Sequence, residues 1–422
     1  MPTEAARGAG RDAHGVGDHR MHAARCRRGV VQIGAALIVA ACSRPGASVL
    51  PAAVSEGDAV VLVRGPTSLT AGGVGDWHHA TLDRAADGRA LVVWQDGSGG
   101  AGFHTRWFAE DLQPRSPDVV TRDTGARVSH PQGLIVDGEG WVAWQAHDGA
   151  IRAQRVGLDG ALYGAPVELQ VEAERMDAAY PDLSATPGGG FVAHWLADPE
   201  GRPRYRYARY HDGEVHVEDL VSFGTFDVGG PGSIAAQPDG SVFMAWPENT
   251  RGWVQGAARI VLTRGPRGER TTVYEGAGRV DRAVVAVGDH GGVVGWVQYR
   301  YLGGKNAVVL RFMDVDGVMR GEPRLAVDAP ADLIEVDATG DVIFVAWNEI
   351  EPKDRRLRVQ AWRSSTGEPL GAPLDVARAE QVLQRAALRA WTAPDGAHAL
   401  ITWESRSDRD HSEIMAAEVR VP

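Results

Sequence analysis

The chain has 422 residues, 23% of them charged and 44% hydrophobic, with a formal net charge of −11. This is an ordinary globular composition with ample apolar material for a core. An acidic chain with no basic stripe argues against nucleic acid, whose binders need a cationic footprint. Only two cysteines, Cys26 and Cys42, are present, so stability has to come from packing rather than from a disulfide framework.

In chain order, the first expected element is a leader. Arg25, Arg27 and Arg28 precede the apolar run from Gly29 to Ala41. Thirteen residues are too few to span a bilayer as a stable helix, so residues 1–41 are expected to be a signal peptide. Residues 1–20 are polar and fit no leader, and translation is expected to start at Met21. The six arginines and three acids of residues 1–41 give +3, leaving −14 for the rest of the chain. The run ends Val39-Ala40-Ala41-Cys42, which resembles the bacterial lipobox. That resemblance implies that Cys42 is lipidated and holds the mature chain on a membrane, since two or three acyl chains anchor stably. Ser43 next to it implies the outer membrane in Gram-negative families. Residues 42–56, with Pro45, Gly46 and Pro51, are expected to form a flexible tether.

Residues 57–422 carry a repeat. Trp94, Trp144, Trp195, Trp246, Trp296, Trp347 and Trp403 are spaced by 50, 51, 51, 50, 51 and 56 residues. Each ends a short apolar run of β type, such as Ala90–Trp94 or Val342–Trp347. A turn signal precedes each run, as at Asp87-Gly88, Asp137-Gly138, Asp239-Gly240 and Asp395-Gly396. Asp-Gly suits tight hairpins. No segment keeps a 3.6-residue apolar period, so little helix is expected.

Every unit parses into four strands. Strand A precedes the turn (Pro181–Ala185) and strand B is the apolar run. Strand C alternates (Ile151–Val156, Tyr205–Tyr210, Leu357–Ala361), and strand D is short (Pro166–Gln170, Pro373–Val376). Four-stranded units of this length predict an all-β, seven-bladed β-propeller. The last unit stops after strand C, Ile414–Val421, and an orphan strand, Asp58–Val63, stands before the first. The N-terminal strand is therefore expected to complete the last blade and remove an edge that would invite aggregation. An open β-solenoid is the alternative architecture.

The seven tryptophans hold one fixed place in every unit and are expected to pack between sheets. Candidate binding residues lie in the loops at one end of the blades. The B–C side contributes Asp96, Asp148, Asp198, Glu248, Glu349 and Glu404, and the D–A side His79, His130, Tyr180, Arg282 and Arg385. The acids following Trp246, Trp347 and Trp403 are expected to form a spaced rim rather than a catalytic pair. His78, His79 and His130 match no strict metal-ligand spacing, and no metal or cofactor is expected. No phosphate loop, nucleophile elbow or Cys–His pair occurs.

The order Asp-Gly, apolar strand to Trp, then a C strand resembles bacterial extracellular-repeat propellers loosely related to sialidases. The chain departs from sialidases in lacking the Asp-box: Asp159-Gly160, Asp316-Gly317 and Thr366-Gly367 occupy that place without the tryptophan. The resulting expectation is an envelope lipoprotein acting as a non-catalytic binding or scaffold propeller for a protein or glycan. The alternative is a glycoside hydrolase or lyase acting on an extracellular or envelope polysaccharide. A carboxylate pair with raised pKa in a channel-mouth pocket would favour the alternative, and a shallow acidic face would favour the scaffold.

Overall fold

The computed structural model describes residues 59–70, 77–96, 102–122, 129–146, 148–169, 180–197, 204–219, 226–228, 230–250, 257–299, 306–327, 329–351, 354–379, 383–406 and 412–422. The leader, Cys42 and the tether lie outside them. All regular elements among the described residues are strands, and no helix there is long and apolar enough to cross a membrane.

The strands form seven antiparallel sheets, one per Trp repeat. Six are consecutive, beginning at Trp77, Ser129, Asp182, Phe226, Arg279 and Ala331. The seventh joins Leu383–Ala393, Gly396–Arg406 and Ser412–Val421 to the N-terminal strand Val61–Ser68. Pairing runs from Val61 opposite Arg420 to Ser68 opposite Met415. The expected closure is present, shifted a few residues toward the C-terminus of the predicted strand. It buries Val60 and Leu69.

The apolar B strands lie between neighbouring sheets. All seven repeat tryptophans are buried, as a core role requires. Several pack on an aromatic from the preceding blade: Trp144 on Phe103, Trp246 on Tyr205 and Trp296 on Tyr274, with ring centroids 5.3–5.6 Å apart. An aromatic side chain buries roughly 150–250 Å², so each anchor is worth about 4–6 kcal/mol as an upper bound.

The A–B hairpins turn in two ways. At Asp137-Gly138 both residues have positive φ, 49° and 80°, which is the tight two-residue turn expected of Asp-Gly. At Asp87-Gly88 and Asp239-Gly240 only the glycine is left-handed. There the Asp side chain instead accepts the amide two residues on, from Arg89 and Ser241, in a longer loop.

The A strands line the ring, and those of blades 1, 3, 4 and 6 carry side chains that accept amides of the next blade's A strand. Thr81 accepts from Gly133, and Asp83 from Ile135. Asp182 accepts from Ile234, Ser184 from Ala236, Ser233 from Val285, and Asp337 from Ala390. An inner sheet edge presents backbone groups that must find partners, and short polar side chains supply them while tying the blades together.

Candidate functional site

The seven A strands enclose a central cavity of about 1260 Å³. Its mouth is the end at which the A strands begin. In five blades the A–B register slips there by a β-bulge, between His78 and Thr81, Ser129 and Gln132, Val280 and Ala283, Ala331 and Leu333, and Gln384 and Ala387. Bulges re-aim side chains and cluster beside functional sites. The bulged positions include His79, His130, Arg282, Asp332 and Arg385. His79 and His130 have φ of 51° and 54°, a left-handed conformation that is uncommon outside glycine and concentrates at functional sites.

His79, His130 and Tyr180 form a row across blades 1, 2 and 3. His79 meets His130 edge-on at 4.3 Å between ring centroids, and His130 meets Tyr180 in the same way at 4.3 Å. All three line the cavity, as do Arg279, Arg282 and Asp332 from blades 5 and 6. One wall of the mouth is therefore imidazole and phenol, and another is charged.

Below the mouth the charges are arranged in two tiers. In the upper tier Arg282 pairs with Glu335 at 2.6 Å. Burial pushes the Glu335 carboxyl up to about 7, with Arg282 pulling it down and Asp182 pushing it up further. Burial also raises Asp182, although it accepts amides from Ile234 and Leu183. In the lower tier Arg389 sits 2.6 Å from Asp83 and 3.7 Å from Asp337. These two acids hold the Arg389 guanidinium above its ordinary value, Asp83 most strongly. Burial raises Asp337 as well.

The sequence-predicted residues divide. His79, His130, Tyr180 and Arg282 converge on the mouth. Arg385 lies in the bulge of blade 7, with its side chain outside the described residues, and Asp198 lies wholly outside them. Asp96 ends the strand Ala90–Asp96, and exposed Asp148 turns back to the Ala150 amide and Arg152. Glu248, Glu349 and Glu404 are in strands rather than loops and do not line the cavity. Glu248 is sealed, accepting from the Trp246 indole at 2.9 Å and from Arg259 and Arg270. Glu349 accepts from Trp347 at 3.2 Å and from Arg358 at 3.1 Å, and Glu404 accepts from Arg406 at 3.2 Å. Glu248 and Glu349 fasten strand B to neighbouring strands, whereas Arg406 lies on Glu404's own strand.

Glu335, Asp182, Asp83, Asp337 and Arg389 were not among the sequence candidates. Their signal was available, because Ala331–Thr339 places Glu335 and Asp337 two residues apart on an apolar strand that has to line something. Among the described residues, no group of three or more His, Cys, Asp or Glu is placed to hold a metal ion.

No family model matches the chain, and no curated protein matches it. Solved structures do. The polysaccharide lyase Uly1 aligns with a TM-score of 0.54 at 12% identity, over 82% of this chain and 90% of that one. A PL25 ulvan lyase bound to -[GlcA(1-4)Rha3S]- aligns at 0.52 and 12% identity, over 81% and 93%. A protein of unknown function from Dyadobacter fermentans aligns at 0.51 and 9% identity, over 87% and 100%. At these identities the likeness establishes the fold. The expectation of a non-catalytic scaffold is nevertheless corrected. Two of the chains that share the fold act on polysaccharide. The mouth is also not a shallow acidic face: it is a deep cavity with convergent imidazoles, a phenol, an arginine and raised carboxyls, the features that favour the enzymatic alternative.

Proposed function

We propose that the chain is a polysaccharide-cleaving enzyme of the lyase type, acting on a uronate-containing chain at the propeller mouth. The observation that carries this reading is the His79–His130–Tyr180 row, with both histidines held left-handed in bulges. β-Elimination needs a base to take the C5 proton, a cation beside the uronate carboxylate, and an acid for the departing oxygen. The C5–H pair forms the C4=C5 double bond as the C4–O bond breaks, and the leaving oxygen takes a proton, so no water is consumed. Imidazole as a class exchanges protons near neutrality, and phenol is a serviceable acid or base. The row supplies both proton transfers, and Arg282 supplies the cation in an otherwise acidic protein.

A second reading, hydrolysis, is favoured by the raised Glu335 carboxyl near Asp182, since glycosidases use one protonated and one ionised acid. The two separate cleanly by experiment. Incubation with ulvan and other uronate polysaccharides is expected to give ultraviolet-absorbing unsaturated uronates. His130→Ala and Tyr180→Phe should each lose about 10²–10⁴-fold in turnover. New reducing ends without that absorbance would assign hydrolysis. No cleavage of any uronate or neutral polysaccharide would overturn the enzymatic reading.

We also propose that Cys42 carries a diacylglycerol anchor, placing the propeller on the cell envelope, on the outer membrane in a Gram-negative cell, where extracellular polysaccharide is accessible. The support is the leader, the apolar run and the small residues before Cys42. Cys42→Ser should release the protein from membranes, and retention would count against the anchor.

A further inference from the structure

Arg282 lines the mouth together with Arg279, and it already has an anionic partner. Its guanidinium pairs with Glu335 at 2.6 Å, while its Nε is buried with no hydrogen-bond partner among the described residues. Glu335 stands one step deeper in the cavity on the neighbouring inner strand, with its side chain 14% exposed. A substrate carboxylate arriving at the mouth therefore meets a guanidinium whose charge is committed, but whose donors are not all used. An arginine presents five N–H groups in a planar fork suited to a carboxylate.

We propose that Glu335 is an internal surrogate for the substrate's carboxylate: it holds Arg282 in the empty site and hands the guanidinium to the uronate when substrate binds, taking up a proton as it does so. This deepens, and rests on, the uronate lyase reading. The exchange balances in charge. One carboxylate leaves the guanidinium as another arrives, and the deserted Glu335 accepts one proton from solvent rather than remaining a buried, unpaired anion, which would be costly.

The surroundings of Glu335 favour protonation. Burial holds its carboxyl up to about 7 even with Arg282 in place, and Asp182 across the cavity pushes in the same direction. From blade 5 it faces Arg282, with Arg279 nearer the mouth. From blade 7, Arg389 is committed to Asp83 and Asp337 one tier below. On its own strand Asp332 and Asp337 flank it. Removing Arg282 leaves Glu335 among acids, so its affinity for a proton rises further. The sign follows. Below about pH 7 Glu335 is protonated and Arg282 is free for the substrate. As pH rises above 7 the surrogate anion competes, and substrate affinity falls.

The test uses the full propeller and D-glucuronate as probe, with D-glucose as the uncharged control, so it does not depend on turnover. Calorimetry in buffers of different ionisation enthalpy is expected to show proton uptake on glucuronate binding near pH 7–8, with Kd rising about tenfold per pH unit above 7. Glu335→Gln, nearly isosteric, should abolish the uptake, flatten the profile and bind about tenfold more tightly than the unmodified chain at pH 8. Arg282→Lys keeps a charge but loses the fork, and should weaken glucuronate binding at every pH. Glucuronate binding that takes up no proton and is unchanged by Glu335→Gln would overturn the surrogate role while leaving the lyase reading intact. Cleavage assays that yield no unsaturated product would overturn the lyase reading, whatever the calorimetry shows.

Discussion

Glu248 and Glu335 are both carboxylates withdrawn from solvent and paired with arginine, yet they do opposite jobs. Glu248 lies within blade 4, where an indole and two guanidiniums saturate it. Glu335 lies on the inner strand of blade 6, where one guanidinium, from the neighbouring blade, pairs with it at the cavity wall and its carboxyl is held up to about 7. The contrast is one of donor count, not of residue type. A carboxylate with all its lone pairs satisfied is part of the frame. A carboxylate left with one shared partner in a low-dielectric cavity stands close to neutrality and is available for exchange. In this propeller the frame lies between the blades, and the candidate site is where the inner strands bulge open.

The sharpest separation of frame from mouth should come from the closing strand. Deleting residues 59–69 removes Val60 and Leu69 from the core and bares the edge of blade 7. The cooperative thermal transition of the full chain is expected to disappear; an unchanged melt would break the assigned topology. At the mouth, His130→Gly exchanges a strained left-handed histidine for the residue that tolerates that conformation. Turnover should fall about 10²–10⁴-fold while denaturant stability stays within about 1 kcal/mol. A large stability loss would make His130 part of the frame. The reverse pattern is expected for Glu248→Ala, about 3 kcal/mol of destabilisation. That is the low end for a broken buried pair, because Arg259 and Arg270 can reach water. Little change in turnover should accompany it once unfolding is allowed for.

The smallest effect concerns pH. Glu335 ionises near 4.5 in an unfolded chain and near 7 in the folded one, so between these values the native state holds a proton that the unfolded state has lost. Its contribution to stability is full below about pH 4.5 and declines as pH rises to about 7. Carboxylates held low by their partners, such as Asp354 beside Arg356 and Arg378, act in the opposite sense. The measurement is therefore the difference between the unmodified chain and Glu335→Gln. Denaturation midpoints across pH 5–8 should converge on the acidic side and diverge on the alkaline side, with Glu335→Gln the more stable. Parallel curves would remove Glu335 as the titrating group.

Much of the frame was legible in the sequence because it repeats. Trp94 through Trp403, with their preceding turns, fix seven units, and the missing last strand together with the orphan first strand fixes the closure. His79, His130, Tyr180 and Arg282 were legible as mouth residues because they fall at or just before the start of strand A, on the D–A side of their repeats. The bulges that aim them were not, since a register slip of one residue leaves no compositional trace. Glu248, Glu349 and Glu404 misled for a related reason. Strand B runs on past the tryptophan, to Thr250, Glu351 and Arg406 in blades 4, 6 and 7, and arginines on strand C reach Glu248 and Glu349. An acid that reads as a loop residue is then a strand residue, with a cross-strand partner at Glu248 and Glu349. The two charged tiers of the cavity span different blades: Arg282 meets Glu335 between the adjacent blades 5 and 6, and only the closed ring brings Arg389 of blade 7 to Asp83 of blade 1.

The most direct test of the central claim is cleavage of a uronate polysaccharide in heavy-oxygen water, with mass analysis of both new chain ends. Elimination takes no oxygen from solvent, so both ends should be free of label and the non-reducing end should be unsaturated. Label at the new reducing end, with a saturated partner, would show hydrolysis and contradict the role given to the His79–His130–Tyr180 row.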